Sequence, residues 1–362
     1  MTIKLRHENS GIALIIVMVV TTFLAILAGG FAYSMKVETK LARNASFETD
    51  FEWMARSGAE LAKWVLAQSS TGPGVQYDAL NQRWAGGLGN TNDGLEGIDL
   101  KNYPVGDAQS GGGTLSVEIV DHDRKFNINV ADEVILKQAL NLMGVDAGEI
   151  PTVVDSILDW RDPDDSPRSS GAETSHYQPL GIYCKNGPLD DITELLYING
   201  ITHNMYYGPG AVGRVLTTHQ NSQRNPRGSK FEEPTYSVGL MDLFTTTSSR
   251  LLNINTASPQ TLQIFPEIDE NVANAIVTAR NGPDGVQGTD DDTPFRSPQE
   301  LGRVPGINPA AAMQFARYFT VRSLIFEAKI GVNLAGETRQ YVALLRRNGA
   351  KDIQILHLNR AN

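Results

Sequence analysis

The longest hydrophobic segment of the chain lies near its beginning. No charged residue occurs from Ile12 to Met35, a run of roughly 24 residues that is long enough to cross a bilayer as one helix. Beyond it, apolar residues recur at spacings of three and four as far as Val65, and proline first interrupts the pattern at Pro73. The pattern predicts one continuous helix over residues 12–67, roughly 80 Å long at 1.5 Å per residue.

A short polar segment, residues 1–11, precedes the hydrophobic run. A secretory signal peptide is cleaved after its apolar core, whereas the candidate processing site here is Gly11, which lies before it. Cleavage at Gly11 would keep the helix and expose Ile12 as the new N-terminus. This arrangement resembles a type IV prepilin leader, although the fifth mature residue, usually Glu, is Ile16 here. A plain single-span membrane anchor is the alternative.

The segments after the helix predict a sheet interrupted by a large insertion. Thr114–Val120 alternates as a strand does, within a segment that otherwise predicts loop. Near the C-terminus, β-rich runs separated by turn signals predict antiparallel strands at Tyr318–Val332, Thr338–Arg346 and Asp352–Leu358. The expected fold class is α+β, a pilin-like fold in which a long N-terminal helix packs on an antiparallel sheet. The expected boundaries are residues 1–11 for the leader, 12–67 for the helix, 68–124 for the first part of the pilin-like domain, 125–317 for a mostly α-helical insert and 318–362 for the sheet that completes the domain.

The insert contains a diverged internal repeat, predicted over residues 125–215 and 250–317. Asn-Ile-Asn at 127–129 recurs at 253–255, and the string that begins with Glu194-Leu195 recurs from Glu300-Leu301. Each copy predicts a polar cap, two helices, an acidic loop, a further helix and a hairpin. Asn129 and Asn255 are predicted to cap the helices that follow them.

Composition narrows the class of partner. The chain has 41 acidic and 31 basic residues and a formal charge of −10, which argues against a nucleic-acid partner and is compatible with divalent cations. The single cysteine, Cys184, excludes an internal disulfide framework and a multi-cysteine metal site.

Two acidic loops are the strongest local signals for a ligand. Carboxylates at this density repel one another unless a cation lies among them, and oxygen ligands on a turn-rich backbone suit Ca²⁺. The alternative for each is a solvated loop, with Arg161 or Arg168 as the partner of the first. The candidate Ca²⁺ ligands are Asp159, Asp162, Asp164, Asp165 and Glu173 in the first loop, and Asp284, Asp290, Asp291 and Asp292 in the second.

Catalytic motifs are lacking from the sequence. It has no nucleophile elbow, zinc-protease helix or phosphate-binding glycine loop, so we expect a protein that is not an enzyme. Val304-Pro305-Gly306-Ile307 resembles the hairpin of a helix-hairpin-helix module, which often contacts DNA phosphates. Only Arg296 and Arg303 would support such contacts, and a purely structural hairpin is the favoured interpretation.

Together these motifs resemble the type II secretion system protein K family, the large minor pseudopilins. The match extends over nearly the whole chain and is most specific in the string Asp155-Ser-Ile-Leu-Asp-Trp-Arg-Asp-Pro-Asp-Asp165 and in Gly171-Ala-Glu173. The family implies a pilin-like fold with an inserted α-domain that binds Ca²⁺, and the two acidic loops allow two sites. It also implies cleavage by the prepilin peptidase and methylation of the new N-terminus.

The resemblance further implies a single-pass protein of the inner membrane with its large domain in the periplasm. It would cap the pseudopilus tip with minor pseudopilins I and J, help to initiate assembly, contact other pseudopilins and touch exported proteins. The residue at Ile16 agrees with this position, because a subunit with nothing above it needs no carboxylate to neutralise a neighbour's amine. Two alternatives are a minor pilin of a type IV pilus or DNA-uptake system and a membrane-anchored metal-dependent hydrolase.

Overall fold

The computed structural model describes residues 10–70, 76–88, 95–106, 112–213, 234–308, 310, 312–313 and 317–361. The chain divides into two compact units, Met1–Arg56 and Ser57–Asn362. One helix, α1 (Ser10–Ser69), runs through the end of the first unit into the second, so the predicted helix over 12–67 is confirmed. Residues 1–9 of the predicted leader lie outside the described residues.

The first unit carries a hydrophobic helical surface. Side chains such as Ile12, Phe23, Phe31 and Val37 are exposed. The helix is long and apolar enough to be a candidate membrane span, with a mean hydropathy of 2.8 in its most apolar window. An apolar surface of this kind favours lipid or another apolar helix over water.

The second unit is built on a five-stranded antiparallel sheet. The strands in the described residues are β1 (Tyr103–Val105), β2 (Gly113–Asp121), β3 (Phe126–Asn127), β4 (Phe244–Thr245), β5 (Leu252–Asn253), β6 (Phe319–Thr320), β7 (Ile325–Leu334), β8 (Glu337–Arg347) and β9 (Ile353–Arg360). The sheet has the order β1-β2-β7-β8-β9. A two-residue turn joins β7 to β8, and Ala335 and Gly336 both have positive φ there (52° and 83°), as a tight hairpin requires.

The C-terminal part of α1 packs closely on this sheet. Ala59, Ala62 and Leu66 are fully buried. At Gly58 the helix lies so near the sheet that a Cβ atom would be 2.6 Å from Ile330 Cγ2. The absence of a side chain at Gly58 therefore permits the helix-on-sheet packing of a pilin-like fold.

The insert lies between β2 and β7 and has a hydrophobic core of its own. Its helices in the described residues are α2 (Glu133–Met143), α3 (Ile150–Arg161), α4 (Thr174–Tyr177), α5 (His203–Tyr207), α6 (Leu240–Leu243), α7 (Pro259–Leu262) and α8 (Glu270–Arg280), joined by short 3₁₀ turns. Buried side chains from both predicted repeats, among them Ile157, Trp160, Phe265 and Ile276, form one continuous cluster. Residues 214–215, 309, 311 and 314–316 of the predicted repeats lie outside the described residues.

Two predicted segments differ in the structure. Tyr318–Val332 is not one strand, because β6 pairs in parallel with β5 inside the insert and the chain turns before β7 begins. Residues 69–113 are not entirely loop, because the short strand β1 extends the sheet beside β2. Three residues bounded by polar segments were too few to recognise as a strand.

The two Asn-Ile-Asn motifs form equivalent contacts, but the predicted caps are wrong. Asp132 and Ser258 cap α2 and α7 instead. Asn129 exchanges two hydrogen bonds with the backbone of Leu189 (2.8 and 2.9 Å), and Asn255 does the same with Phe295 (both 2.9 Å). Each asparagine thus binds the backbone five residues before the equivalent glutamate of its copy, Glu194 or Glu300.

The arginines that end the second helix of each copy are also equivalent. Arg161 ends α3 and donates to the carbonyls of Ile128 and Ala131. Arg280 ends α8 and donates to the carbonyl of Ile254 at 2.7 Å. Both arginines therefore bind the backbone of their own Asn-Ile-Asn motif.

Candidate metal centre in the first acidic loop

The first acidic loop begins on a buried carboxylate. Asp159 lies on α3 and is fully buried. Its oxygens accept hydrogen bonds from the backbone N–H of Arg168 (3.1 and 3.3 Å), and the Arg168 side chain lies 3.3 Å away. A Cβ atom at Gly171 would be only 1.9 Å from Asp159 Oδ2. Asp159 therefore binds the backbone segment by which the loop returns, and its charge is paired with Arg168.

Three of the predicted ligands come together at the open end of this loop. Oxygens of Asp162, Asp164 and Glu173 all lie within 4.8 Å of one another. Asp164 is exposed and Asp162 partly so, whereas Glu173 is only 1% exposed. The geometry allows one cation to contact all three carboxylates.

Unpaired oxygens distinguish this cluster. Asp162 Oδ1, Glu173 Oε1 and Asn186 Oδ1 are buried atoms without a hydrogen-bond partner. The Asn186 amide nitrogen donates to the Asp164 carbonyl at 2.6 Å, which places this side chain beside the cluster. Buried polar atoms are normally satisfied, and these three are all acceptors. The donor set therefore fits a hard cation such as Ca²⁺.

Burial and like charge act on the carboxyl groups of the cluster. Burial raises the pKa of Glu173, opposed by a hydrogen bond from the Cys184 thiol. Burial and then the neighbouring Asp164 raise the pKa of Asp162, and burial also raises that of Asp159. Burial raises the pKa of Cys184 to about 11. A bound cation would relieve the cost of ionising these carboxylates.

Asp165, the remaining predicted ligand of this loop, has another role. One of its oxygens accepts a hydrogen bond from the backbone N–H of Thr174 at 3.1 Å. Since α4 begins at Thr174, this contact satisfies one of the free N–H groups at the start of that helix.

The second acidic loop is held by its own backbone. Asp284 accepts from the N–H of Val286 (2.7 Å), Asp291 from that of Asp284 (3.1 Å), and Asp292 from that of Gly288 (2.8 Å). The Thr289 hydroxyl lowers the pKa of Asp291, whereas burial raises that of Asp292. Within the described residues, Asp284, Asp290, Asp291 and Asp292 do not form a compact cluster like the one around Glu173.

The other predicted positions lie apart from these loops. Gly11 and Ile12 are in the first turns of α1, which begins at Ser10. The predicted hairpin contains Gly306 with φ 89°, and its neighbour Arg303 is 3.8 Å from Glu300 rather than part of a basic cluster.

Sequence reasoning missed Asn186. Its contribution depends on the backbone returning past Asp164 more than 20 positions later, and its positive φ of 46° is a conformation that Asn tolerates better than most residues. The string Lys185-Asn186-Gly187 carried a turn signal that could have directed attention to it.

The long helix, the antiparallel sheet and the helical insert define a pilin-like protein. A family model described as type II secretion system protein K matches residues 116–208, and a helix-hairpin-helix model matches residues 247–320. A solved structure of the GspK-GspI-GspJ complex from enterotoxigenic Escherichia coli is similar, with a TM-score of 0.62, 17% identity, and coverage of 89% of this chain and 99% of that chain.

The curated relatives agree with this class. Type II secretion system protein K of Pseudomonas aeruginosa is 25% identical over 97% of this chain and 93% of its own length. A putative protein K of Escherichia coli K12 is 26% identical over 56% of this chain, and the match spans 61% of that relative. In sequence and in fold, the chain is similar to type II secretion system protein K.

Proposed function

We propose that this chain is a minor pseudopilin that caps the tip of a periplasmic pseudopilus together with minor pseudopilins I and J. The observation that carries the proposal is the fold similarity, over 89% of the chain, to the solved structure of a GspK-GspI-GspJ complex. The insert, which lies between β2 and β7, adds a bulky domain to the pilin-like sheet. Such a domain suits a terminal subunit, because it would obstruct another subunit stacked above it.

The apolar N-terminal helix supports a membrane role. We infer that residues 12–35 anchor the subunit in the inner membrane, with the large unit in the periplasm, until the helix packs against other pseudopilins. Apolar burial at about 25 cal/mol per Å² would stabilise that packing. The prepilin peptidase would cleave after Gly11, methylation would follow at Ile12, and Ile16 would leave no carboxylate for a subunit above.

The role is mechanical rather than catalytic. The subunit would help to initiate the fibre and would touch exported proteins at the tip. A minor pilin of a DNA-uptake system is the second candidate, and the helix-hairpin-helix match over 247–320 favours it. The charge of −10 opposes it, since binding a phosphate backbone needs clustered cations.

We also propose that the first acidic loop binds Ca²⁺ through Asp162, Asp164, Glu173 and Asn186. Bound there, Ca²⁺ would supply a positive centre that joins three separate backbone segments. Arg168 pairs with Asp159 at 3.3 Å and with Asp162 Oδ2 at 3.6 Å, so one arginine offsets only part of the negative charge of the loop. A second ion, at Asp284, Asp290, Asp291 and Asp292, would bind more weakly because three of these carboxylates, Asp284, Asp291 and Asp292, already accept hydrogen bonds within their own loop.

The test is co-purification of the full chain in detergent with the I and J candidates of the same cell. Size-exclusion chromatography with light scattering should give a complex with one copy of each subunit, and chelation should lower its unfolding temperature. A chain that ignores both partners would contradict the tip proposal. Salt-dependent binding of duplex DNA by that chain would favour the second candidate.

A further inference from the structure

Three buried carboxylates meet where the insert joins the sheet. Asp78 lies between α1 and β1, Asp121 ends β2, and Asp123 lies in the 3₁₀ turn that follows. None is more than 2% exposed. These residues form a junction network with Asn253 of the insert and Arg347 of β8. Buried charges are costly unless they are paired, so the charge balance of this network matters.

Asp121 is the centre of the junction network. Its Oδ2 atom accepts hydrogen bonds from Asn253 Nδ2 (3.1 Å), Thr256 Oγ1 (2.5 Å) and Ser323 Oγ (2.6 Å). Its Oδ1 atom accepts from the backbone N–H of Asp123 (2.8 Å). A single carboxyl group thus connects the end of β2 with the insert and with the segment that leads into β7.

The other two carboxylates have different partners, and burial raises the pKa of Asp123 as well. Asp78 accepts from Arg347 Nη1 at 2.6 Å and from the backbone N–H of Ser323 at 2.8 Å. Asp123 accepts from the backbone N–H groups of Ser249 (2.5 Å) and Leu324 (2.6 Å). The partners of Asp123 are backbone N–H groups, which can only donate, whereas those of Asp121 include the hydroxyl groups of Thr256 and Ser323, which can also accept.

The network has more acidic than basic groups. The charged groups that face Asp121 from the packed elements are Asp78, Asp123 and Arg347, and Arg347 is paired with Asp78. His122, its chain neighbour, is turned toward Thr247 and Glu327. Burial and then Asp123 raise the pKa of Asp121 to about 7, although hydroxyl donors oppose the change.

We propose that the junction between insert and sheet is a proton-binding site, in which Asp121 holds a proton while the insert is docked. The proton fits on Oδ2, donated to Thr256 Oγ1. The Thr256 hydroxyl then donates to the Asn253 carbonyl, which lies 3.5 Å away. Loss of this proton leaves two like charges, on Asp121 and Asp123, at the contact between the two parts of the unit.

The direction of the pH effect follows from linkage. An Asp whose folded pKa lies above its unfolded value contributes stability that is present at low pH and is lost as pH rises through the folded value. We expect docking of the insert to weaken as pH rises from the ordinary Asp value of 3.8 to the folded value of about 7, and to level off above it. The sheet and the insert are then held together less tightly at alkaline pH.

The test uses the full chain in detergent and follows chemical unfolding across that pH range. The wild type should lose stability as pH rises, and amide exchange at residues 249–257 and 323–325 should accelerate. Asp121→Asn keeps a neutral side chain of the same size, so its stability should fall less steeply with pH than that of the wild type. Glu118→Gln, on the exposed face of β2, is the matched control and should follow the wild type.

An equal pH dependence in wild type and Asp121→Asn would overturn the proposal. If the variant does not fold, infrared difference spectra of the wild type provide the second measurement. A protonated carboxyl band that disappears near neutral pH, unaffected by Glu118→Gln, is the expected result. A wild type without such a band at pH 6 would also overturn the proposal.

Discussion

The two acidic loops of the insert have similar sequences of carboxylates and different structures. In the first, Asp162, Glu173 and Asn186 carry buried oxygens without partners. In the second, Asp284, Asp291 and Asp292 accept hydrogen bonds from the backbone of the same loop. A high density of acidic residues therefore indicates a loop, whereas buried acceptor atoms without hydrogen-bond partners indicate a cation site.

The difference comes from how far along the chain each loop reaches. The first loop collects groups from the end of α3, the start of α4 and the segment at Asn186. These groups cannot satisfy one another because all of them are acceptors. The second loop is compact, and nearby N–H groups take the place that a cation would fill.

Gly171→Ala should cause the largest loss of stability among the variants that compare the two loops. A methyl group there would meet Asp159 Oδ2 at 1.9 Å, and the first loop should lose its geometry together with about 2–3 kcal/mol of stability. Gly285→Ala in the second loop meets no atom within 4 Å and should cost only about 1 kcal/mol, from its positive φ. Chemical unfolding measures both, and equal losses would contradict the account.

Glu173→Gln should remove the stabilisation by Ca²⁺. At a Ca²⁺ concentration about 100 times the dissociation constant, the wild type should gain about 2.7 kcal/mol. The variant should gain little, and in chelator it should be at least as stable as the wild type, because burial raises the pKa of Glu173 and its charge is costly there. Asp291→Asn is the control in the second loop, and its loss of the same stabilisation would argue against the ranking of the two sites.

Asn186→Asp should strengthen the binding of Ca²⁺ at the first acidic loop. A carboxylate in place of the amide oxygen gives the cation a charged ligand and preserves a residue type that tolerates φ 46°. The affinity for Ca²⁺ should rise by about tenfold, or about 1.4 kcal/mol. Asn281→Asp, beside the second loop, should leave the affinity unchanged. Titration calorimetry measures both, and an unchanged affinity in Asn186→Asp would remove this residue from the site.

The alkylation rate of Cys184 should report whether Ca²⁺ occupies the first acidic loop. We expect this effect to be the smallest of the four. Its thiol donates to Glu173 Oε2 at 3.4 Å. Alkylation of this single cysteine should slow severalfold in Ca²⁺, because the cation orders the adjacent loop. Glu173→Gln should abolish the difference between Ca²⁺ and chelator, and a rate that is insensitive to Ca²⁺ in the wild type would count against occupancy.

The sequence predicted elements that depend on local pattern. The helix over 12–67 and the strand at Thr114–Val120 followed from apolar spacing, and the turn at Ala335 and Gly336 from turn chemistry. The strand β1 was missed because three residues carry almost no periodic signal. Tyr318–Val332 was predicted as one strand, but parallel pairing of β6 with β5 inside the insert divides it.

The candidate site could be predicted only in part for the same reason. Asp162, Asp164 and Glu173 were found from their density in the sequence. Asn186, Gly171 and the role of Arg168 depend on which segments return to the loop, and that is decided by tertiary packing. Asn129 and Asn255 show the same limit: they were predicted as caps, but they bind backbone segments 60 and 40 positions away.

The most direct test of the account is to locate the ion itself. Crystals of the complex with the I and J subunits, grown in Ca²⁺, would be measured for anomalous scattering. The account predicts a peak in the first acidic loop, about 2.3–2.6 Å from oxygens of Asp162, Asp164, Glu173 and Asn186. A peak confined to the second loop, or none at the first, would contradict it.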